Sequence, residues 1–342
     1  MNKITQAFCF VSAFMVFSGC GSSYTSGNLL VPKETITKEE VSEKPKDFEA
    51  FNPKVDILFV IDNSGSMMDA QENVSRNAFM FADAISKVSI LNYHIGVVTT
   101  DMDSCSMHCG RLTGLPRYLD KSTPDFVEVL SNRMEVGING SGTEALFGPV
   151  QAALGPGLEN TFNNGFYRQD AFLAVIFITD AMDQSRISGE ELMQFLKTKK
   201  VDPKRVLAYG VIRKLKEKDI CFKDVEPLDG QIEDFLAKVV NADANQNNVL
   251  SLCDTNFGSK LAGFAADIVK RATGSVKLSR VPNPKTIKVF YGSQEIPNDP
   301  KKGWVFQAST NSILLGDEID WEDQGLNVGL KIDFEVIDLE KD

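Results

Sequence analysis

Five side chains carry hard oxygen donors at places where a chain can gather them around a cation. Asp62, Ser64 and Ser66 fall within Asp62-Asn63-Ser64-Gly65-Ser66, directly after an apolar run that begins at Ile57. Asp180 directly follows the apolar stretch Phe172-Leu173-Ala174-Val175-Ile176-Phe177-Ile178-Thr179. Thr143 lies in a third polar loop, Gly140-Ser141-Gly142-Thr143-Glu144. Two carboxylates and three hydroxyls, with neither sulfur nor imidazole, suit Mg²⁺, and somewhat less Mn²⁺ or Ca²⁺. Because two of the five donors are anionic, a bound ion keeps positive character and leaves a position for an outside carboxylate. The plainer reading makes each residue a helix N-cap, a role that Asp, Ser and Thr all fill. A purely structural metal is the other competing reading.

These residues need a scaffold that brings separate loops to one edge. Asp56–Ile61 reads as a buried parallel strand, followed by a helix whose stripe is Val74, Ala78, Phe81 and Ile85. Tyr93–Thr99, Phe172–Thr179 and Val206–Ile212 read as further strands. Ser188-Gly189-Glu190-Glu191 reads as a capping box opening a helix, and Leu261, Phe264, Ala265 and Ile268 mark the last long helix. The alternation predicts an α/β fold, a doubly wound, mostly parallel sheet with helices on both faces. In such sheets ligands bind beyond the carboxyl ends of the strands, where strand order reverses, and Asp62 and Asp180 both stand at strand ends. After Gly274 the pattern changes to period two, with Val328, Leu330, Ile332, Phe334 and Val336 on one face. That predicts a small C-terminal antiparallel β module over residues 281–342.

Asp62-Asn63-Ser64-Gly65-Ser66-Met67 resembles the D-x-S-G-S-M signature of von Willebrand factor type A domains. That Rossmann-like family carries a metal-ion-dependent adhesion site, to which the first loop gives an Asp and two Ser, the second a Thr and the third an Asp. The resemblance, over about residues 54–280, implies Asp62, Ser64, Ser66, Thr143 and Asp180 as the ligands. Gly148 stands where the family has a small residue after the Thr, and Ala181 stands where Gly is frequent. What it implies is capture of a protein partner or surface ligand through an acidic side chain that completes the ion's coordination. An envelope scaffold with a structural metal, or a metal-assisted hydrolase, are the alternatives. An enzyme is not expected: Ser64 lacks a G-x-S-x-G context, no phosphate loop is present, and no general base is evident.

The remaining features bear on location. Residues 1–19 read as an export signal with an apolar core from Ala7 to Phe17. Phe17-Ser18-Gly19-Cys20 resembles the lipobox of bacterial lipoproteins, which implies a Cys20 carrying fatty acyl chains such as palmitate. Residues 20–53, rich in Ser, Thr, Lys and Glu, read as a flexible tether. The expected location is the bacterial cell envelope, and Gly21 after the Cys resembles outer-membrane sorting where there are two membranes. A net charge of −11 across 342 residues excludes nucleic acid as a natural partner. Of six cysteines, Cys9 falls in the signal and Cys20 at the acyl site. Cys105, Cys109, Cys221 and Cys253 then allow three pairings. Cys105–Cys109 and Cys221–Cys253 are the preferred ones, against a zinc site using His108. Asp243, Asn245 and Asn247 take positions 1, 3 and 5 of a calcium-loop pattern. Asn248 stands in place of its Gly and Asp254 in place of its final Glu, and an Asn-rich loop leading into a short strand is the plainer reading. His94 reads as a structural residue within a strand, and Asp183 as a solvated loop acid.

Overall fold

A computed structural model describes residues 46–215, 228–242, 245, 247–254, 257–326 and 328–337. The signal, Cys20, the tether to residue 45 and Cys221 lie outside the described residues, as do positions 243, 244 and 246 of the candidate calcium loop. Among the described residues no helix is long and apolar enough to cross a membrane.

In chain order the elements are β1 (Lys46–Phe51), β2 (Lys54–Ile61), α1 (Met68–Ser86), β3 (Asn92–Thr99), α2 (Phe126–Met134), α3 (Phe147–Leu154) and α4 (Pro156–Glu159). Next come β4 (Phe172–Thr179), α5 (Gly189–Lys199), β5 (Val206–Ile212), α6 (Gln231–Ala237), β6 (Val249–Ser251) and α7 (Phe257–Thr273). The chain ends with β7 (Ser275–Lys277), β8 (Lys288–Tyr291), β9 (Gln294–Ile296), β10 (Trp304–Gln307), β11 (Ser312–Leu315) and β12 (Leu330–Glu335).

Five strands form one parallel sheet in the order β3-β2-β4-β5-β6. Successive residues of β2 point to opposite sides, and both sides are covered. Ile57, Phe59 and Ile61 face Val74, Phe81 and Ile85 of α1 and Leu261, Phe264 and Ile268 of α7. Leu58 and Val60 face Val150 and Leu154 of α3, Leu192 and Leu196 of α5, and Phe235 of α6. Burial on both faces explains why β2 and β4 read as unbroken apolar runs rather than alternating ones. The expected doubly wound α/β architecture is therefore present. The capping box is present too: the Ser188 hydroxyl accepts from the Glu191 N–H, and the Glu191 carboxylate accepts from the Ser188 N–H. Asn247 and Asn248 lead directly into a short strand, β6.

From β2 the chain passes to β3 on one side and later returns to β4 on the other. The reversal of strand order thus lies at β2, and the chain ends of β2 and β4 flank it.

The C-terminal part is antiparallel, as expected, but its limits differ. It consists of two sheets, β1-β12-β8-β9 and β10-β11-β7. Lys46–Phe51, expected within the tether, is a strand that pairs with β12 from Lys46↔Glu335 to Phe51↔Leu330. Its own composition is too polar to read as a strand; partnership with β12 makes it one, since strand preference depends on context. Ser275–Lys277, expected inside the α/β part, pairs with β11. The described residues all fall within one compact unit. The apolar centre of the β sheets, with Val289, Tyr291, Trp304, Ile313 and Ile332, includes Ile90 from the turn before β3.

Candidate metal centre

Asp62 leaves β2 with its N–H bonded to the Ile178 carbonyl at 2.9 Å, so the loop begins in register with β4. Its Oδ1 accepts from the Ser64 N–H at 2.9 Å and from the Thr100 hydroxyl at 3.3 Å. Its Oδ2 accepts from the Thr179 hydroxyl at 2.7 Å. Gln71 of α1 donates to the Asp62 carbonyl at 2.8 Å and ties the loop to the helix it precedes. The Ser64 and Ser66 hydroxyls lie 2.9 Å apart, and Ser66 donates to Asp180 Oδ1 at 3.0 Å. Asp180, more than a hundred positions away in sequence, is thus joined to Asp62, Ser64 and Ser66 in one hydrogen-bonded cluster. Asp62 and Asp180 have no exposed surface, whereas Ser66 is exposed and opens the cluster to solvent.

Thr143 is placed differently. It is exposed, and its N–H bonds the Ser141 hydroxyl at 3.0 Å. Among the described residues no hydrogen bond ties its hydroxyl to the other four. The next residue of this loop, Glu144, is buried. Its carboxylate accepts from Gln184 Nε2 at 2.9 Å, and its carbonyl accepts from the Gln184 N–H at 2.8 Å. The Gly140 N–H bonds the Asn63 carbonyl at 2.7 Å, which fastens this loop to the first. Sequence reasoning missed Glu144; the signal available was an acid next to the proposed Thr ligand.

The electrostatics are those of acids crowded without enough counter-charge. Burial, and then the Asp62 charge, push the Asp180 carboxyl up to about 6, against the opposing Ser66 hydrogen bond. Burial, and then the Asp62 charge, push Glu144 up to about 7, with Asp180 adding to the rise. Asp180 Oδ2 is fully buried and has no hydrogen-bond partner. A buried carboxylate oxygen without a partner is costly, and a cation is the group that removes the cost. Among the described residues no three His, Cys, Asp or Glu side chains are arranged as a metal cluster on their own. The donor set is instead mixed carboxylate and hydroxyl, all oxygen, which fits a hard divalent ion.

Other expected residues are placed as follows. Cys105 and Cys109 form a disulfide, which removes them as zinc ligands, and His108 Nδ1 instead lies 2.9 Å from the Thr99 hydroxyl. Cys253 is disulfide-bonded, while Cys221 lies outside the described residues, so their pairing stays an expectation. His94 is structural: its Nδ1 lies 2.9 Å from the Phe166 carbonyl and its ring stacks on Tyr118 at 4.3 Å. Asp183 is not a solvated acid. It is buried, and its Oδ1 accepts from the N–H groups of Leu146 and Phe147 at 2.7 and 3.2 Å, capping the start of α3. The free N–H groups of that helix start explain the correction.

No family model matches the chain, and no curated protein matches it in sequence. Solved structures do match. A von Willebrand factor type A protein from Catenulispora acidiphila is 13% identical at a TM-score of 0.37, covering 86% of this chain and 66% of its own. Proximal thread matrix protein 1 from the mussel byssus, with a zinc-occupied MIDAS motif, is 17% identical at a TM-score of 0.37, covering 66% and 48%. Manganese-loaded TRAP protein from Plasmodium vivax is 18% identical at a TM-score of 0.39, covering 64% and 76%. The chain spans about half the length of the mussel protein and two thirds of the Catenulispora protein. The D-x-S-G-S-M loop at the end of β2, on a five-stranded parallel sheet that sets Asp180 beside it, makes this chain similar to von Willebrand factor type A domains.

Proposed function

We propose that this chain is a metal-dependent binding protein of the von Willebrand factor type A kind. It captures a protein or surface ligand through an acidic group that joins the coordination of a divalent ion. Asp62, Ser64, Ser66 and Asp180 would hold the ion, Mg²⁺ or Mn²⁺ by donor type, with Thr143 as the family's remaining ligand position. When bound, the ion supplies an electrophilic point for an incoming carboxylate. The protein's own contribution is to orient the loops and keep Asp62 and Asp180 away from bulk water. The observation that carries this reading is the fully buried Asp180 Oδ2, unpartnered beside a second buried carboxylate. Binding is favoured over turnover because His94 and His108 are both engaged in structural contacts. The anchor proposed with it is an acylated Cys20 in the bacterial envelope, on the outer membrane where the cell has two.

The test is melting of the purified chain in EDTA and in saturating Mg²⁺ or Mn²⁺, followed by capture on envelope surfaces. An ion present at about a hundred times its Kd stabilises by about 2.7 kcal/mol, a readily seen rise in Tm. Unchanged melting in both metals overturns the site. Metal-dependent melting with EDTA-insensitive capture would favour a scaffold with a structural ion, which the cross-tying of Gly140 to Asn63 and of Gln184 to Glu144 also fits.

A further inference from the structure

The edge strand β3 of the parallel sheet is followed by a segment that folds back along it. The Thr113 N–H bonds the Val97 carbonyl at 2.9 Å, and Leu119 and Ile95 exchange two backbone bonds at 2.8 Å. Between these fastenings Gly114, Leu115 and Pro116 stand out in water, and Leu115 is 77% exposed. The base of the tip is tied down by the buried Asn163, which accepts from the Leu112 N–H at 3.0 Å and donates to the Gly110 carbonyl at 2.8 Å.

Three guanidinium groups gather around this tip. Arg117 lies over the Phe162 ring at 3.8 Å and donates to the Gly114 carbonyl at 3.2 Å. Arg111 lies over the same ring at 4.5 Å and donates to the Cys105 carbonyl at 2.9 Å. Arg133 of α2 donates to the Pro116 carbonyl at 2.7 Å, and a Cβ on Gly114 would stand 3.0 Å from its guanidinium. The residues on either side of Leu115 are thus each held by a guanidinium. Elsewhere Arg76, Arg168 and Arg271 face carboxylates at 3.4, 2.8 and 2.9 Å, whereas among the described residues Arg111, Arg117 and Arg133 form no ion pair. Carbonyls and a ring face hold them, so their charge is not cancelled. Like charges this close repel, and an arriving anion relieves the repulsion.

Leu115 decides which anionic partner fits. A small anion or an acidic side chain would meet the guanidiniums and leave the protruding leucine in water. A bilayer surface meets both, because the leucine enters the boundary between headgroups and acyl chains while the arginines beside it reach lipid phosphates. The chain carries a net charge of −11, so an anionic leaflet repels it except where basic groups cluster.

We propose that the Gly114–Pro116 tip, with Arg111, Arg117 and Arg133, is a docking face for an anionic phospholipid surface, lipid phosphate being the group recognised. This face goes beyond the metal-binding reading and does not depend on it. Three cations and one leucine make a weak contact, suited to setting the orientation of a chain already at a membrane.

The test follows the tryptophan emission of full-chain L115W titrated with vesicles of phosphatidylglycerol or of phosphatidylcholine. A reporter at the tip reads docking of this face, since attachment through any other part of the chain leaves the tip in water. The expected result is a blue shift and loss of acrylamide quenching on phosphatidylglycerol alone, reversed by high salt. Adding Arg117→Gln to L115W should weaken the titration about fivefold, equivalent to about 1 kcal/mol per cation near an anionic leaflet. Arg111→Gln should do the same, while Arg117→Lys, which keeps the charge, should weaken it less than about twofold. A merely structural stack on Phe162 would not give this split, because both changes at Arg117 lose the planar guanidinium. Equal shifts on the two lipids, a shift on neither, or equal weakening by Arg117→Gln and Arg117→Lys overturns the proposal. A shift caused by poly-glutamate and by neither vesicle also overturns it, and makes an acidic protein segment the occupant.

Discussion

Replacing Arg168 by Met should destabilise the protein strongly, and the deficit should grow with pH. Arg168 precedes β4 and reaches Asp56 on β2. Asp56 has no exposed surface; its Oδ1 accepts from Arg168 Nε at 2.8 Å and its Oδ2 from the Arg168 N–H at 2.6 Å. The guanidinium also donates to the Val55 and Asn92 carbonyls at 3.0 and 3.2 Å, spanning β2 and β3. Lys200 Nζ, the other cation nearby, stands 4.0 Å from Asp56 Oδ2. Met keeps the stem and removes the charge, leaving a buried carboxylate with one backbone donor and a distant ammonium. Breaking a buried pair in this way costs about 3–5 kcal/mol. At about 2–4 °C per kcal/mol, Tm should fall by about 6–20 °C at pH 8. The pH dependence follows from Asp56 itself. Burial pushes it up to about 6 from 3.8 even with Arg168 pulling the other way. The folded state therefore holds this proton more tightly than the unfolded chain. The group costs stability as pH rises from about 4 to about 6, and above that its contribution is level. Without Arg168 the carboxyl rises further, so between pH 6 and 8 the variant should lose more stability than wild type. Thermal melts followed by circular dichroism at pH 5.5 and 8 measure both effects. A deficit below about 1 kcal/mol, or one equal at the two pH values, would refute the assignment of Arg168 as the counter-charge of Asp56.

Three further outcomes are expected. Asp180→Asn should abolish most of the Tm gain caused by Mg²⁺ or Mn²⁺ while leaving the EDTA melt no lower than wild type; a full metal-induced gain in this variant would remove Asp180 from the site. Gly140→Val should weaken Mn²⁺ binding without unfolding the chain, because a Cβ there meets the Asn63 side chain at 2.3 Å and forces the middle loop off the first; unchanged affinity by calorimetry would show that the loops need not meet. Cys105→Ser with Cys109→Ser should cost about 2 kcal/mol, the entropy of so short a closed loop, measured by urea denaturation; a loss above about 4 kcal/mol would mean that the disulfide holds more than its own loop.

The α/β fold was legible because its strands are buried on both faces and leave long apolar runs. Phe172–Thr179 needs no partner information to read as a strand, and the strand observed has those same ends. The C-terminal sheet was legible in β12, where Leu330, Ile332 and Phe334 alternate with Lys331, Asp333 and Glu335. β1 was not legible, since Lys46–Phe51 becomes a strand by pairing with a segment almost three hundred residues away. Within the site, Asp62, Ser64, Ser66 and Asp180 were legible as residues at strand ends, and the structure joins them. Glu144 and Asp183 were not. The depth of each depends on loop geometry that no local pattern encodes: Gln184 holds one, and the start of α3 holds the other. Thr143 shows the limit of spacing arguments, for the structure leaves it exposed while the next residue, Glu144, is buried.

The two ends of β2 bring the argument for a cation down to one comparison. Asp56 and Asp62 sit at opposite ends of the same strand, and both are fully buried. At the Asp56 end the fold supplies its own counter-charges. Arg168 makes a direct contact, Lys200 lies close behind, and burial draws the Lys200 ammonium down to about 8. At the Asp62 end there are three buried acids, Asp62, Asp180 and Glu144. The cation felt there is Arg213, whose pull on Asp180 is the weakest of the effects acting on that carboxyl. Charges buried without compensation are tolerated where a ligand resolves them, and the excess at this end is of the sign and donor type that a divalent ion neutralises. A chain that pairs the buried Asp56 with two cations and leaves Asp62 beside Asp180 at the other end of the strand offers the second place to an ion from outside.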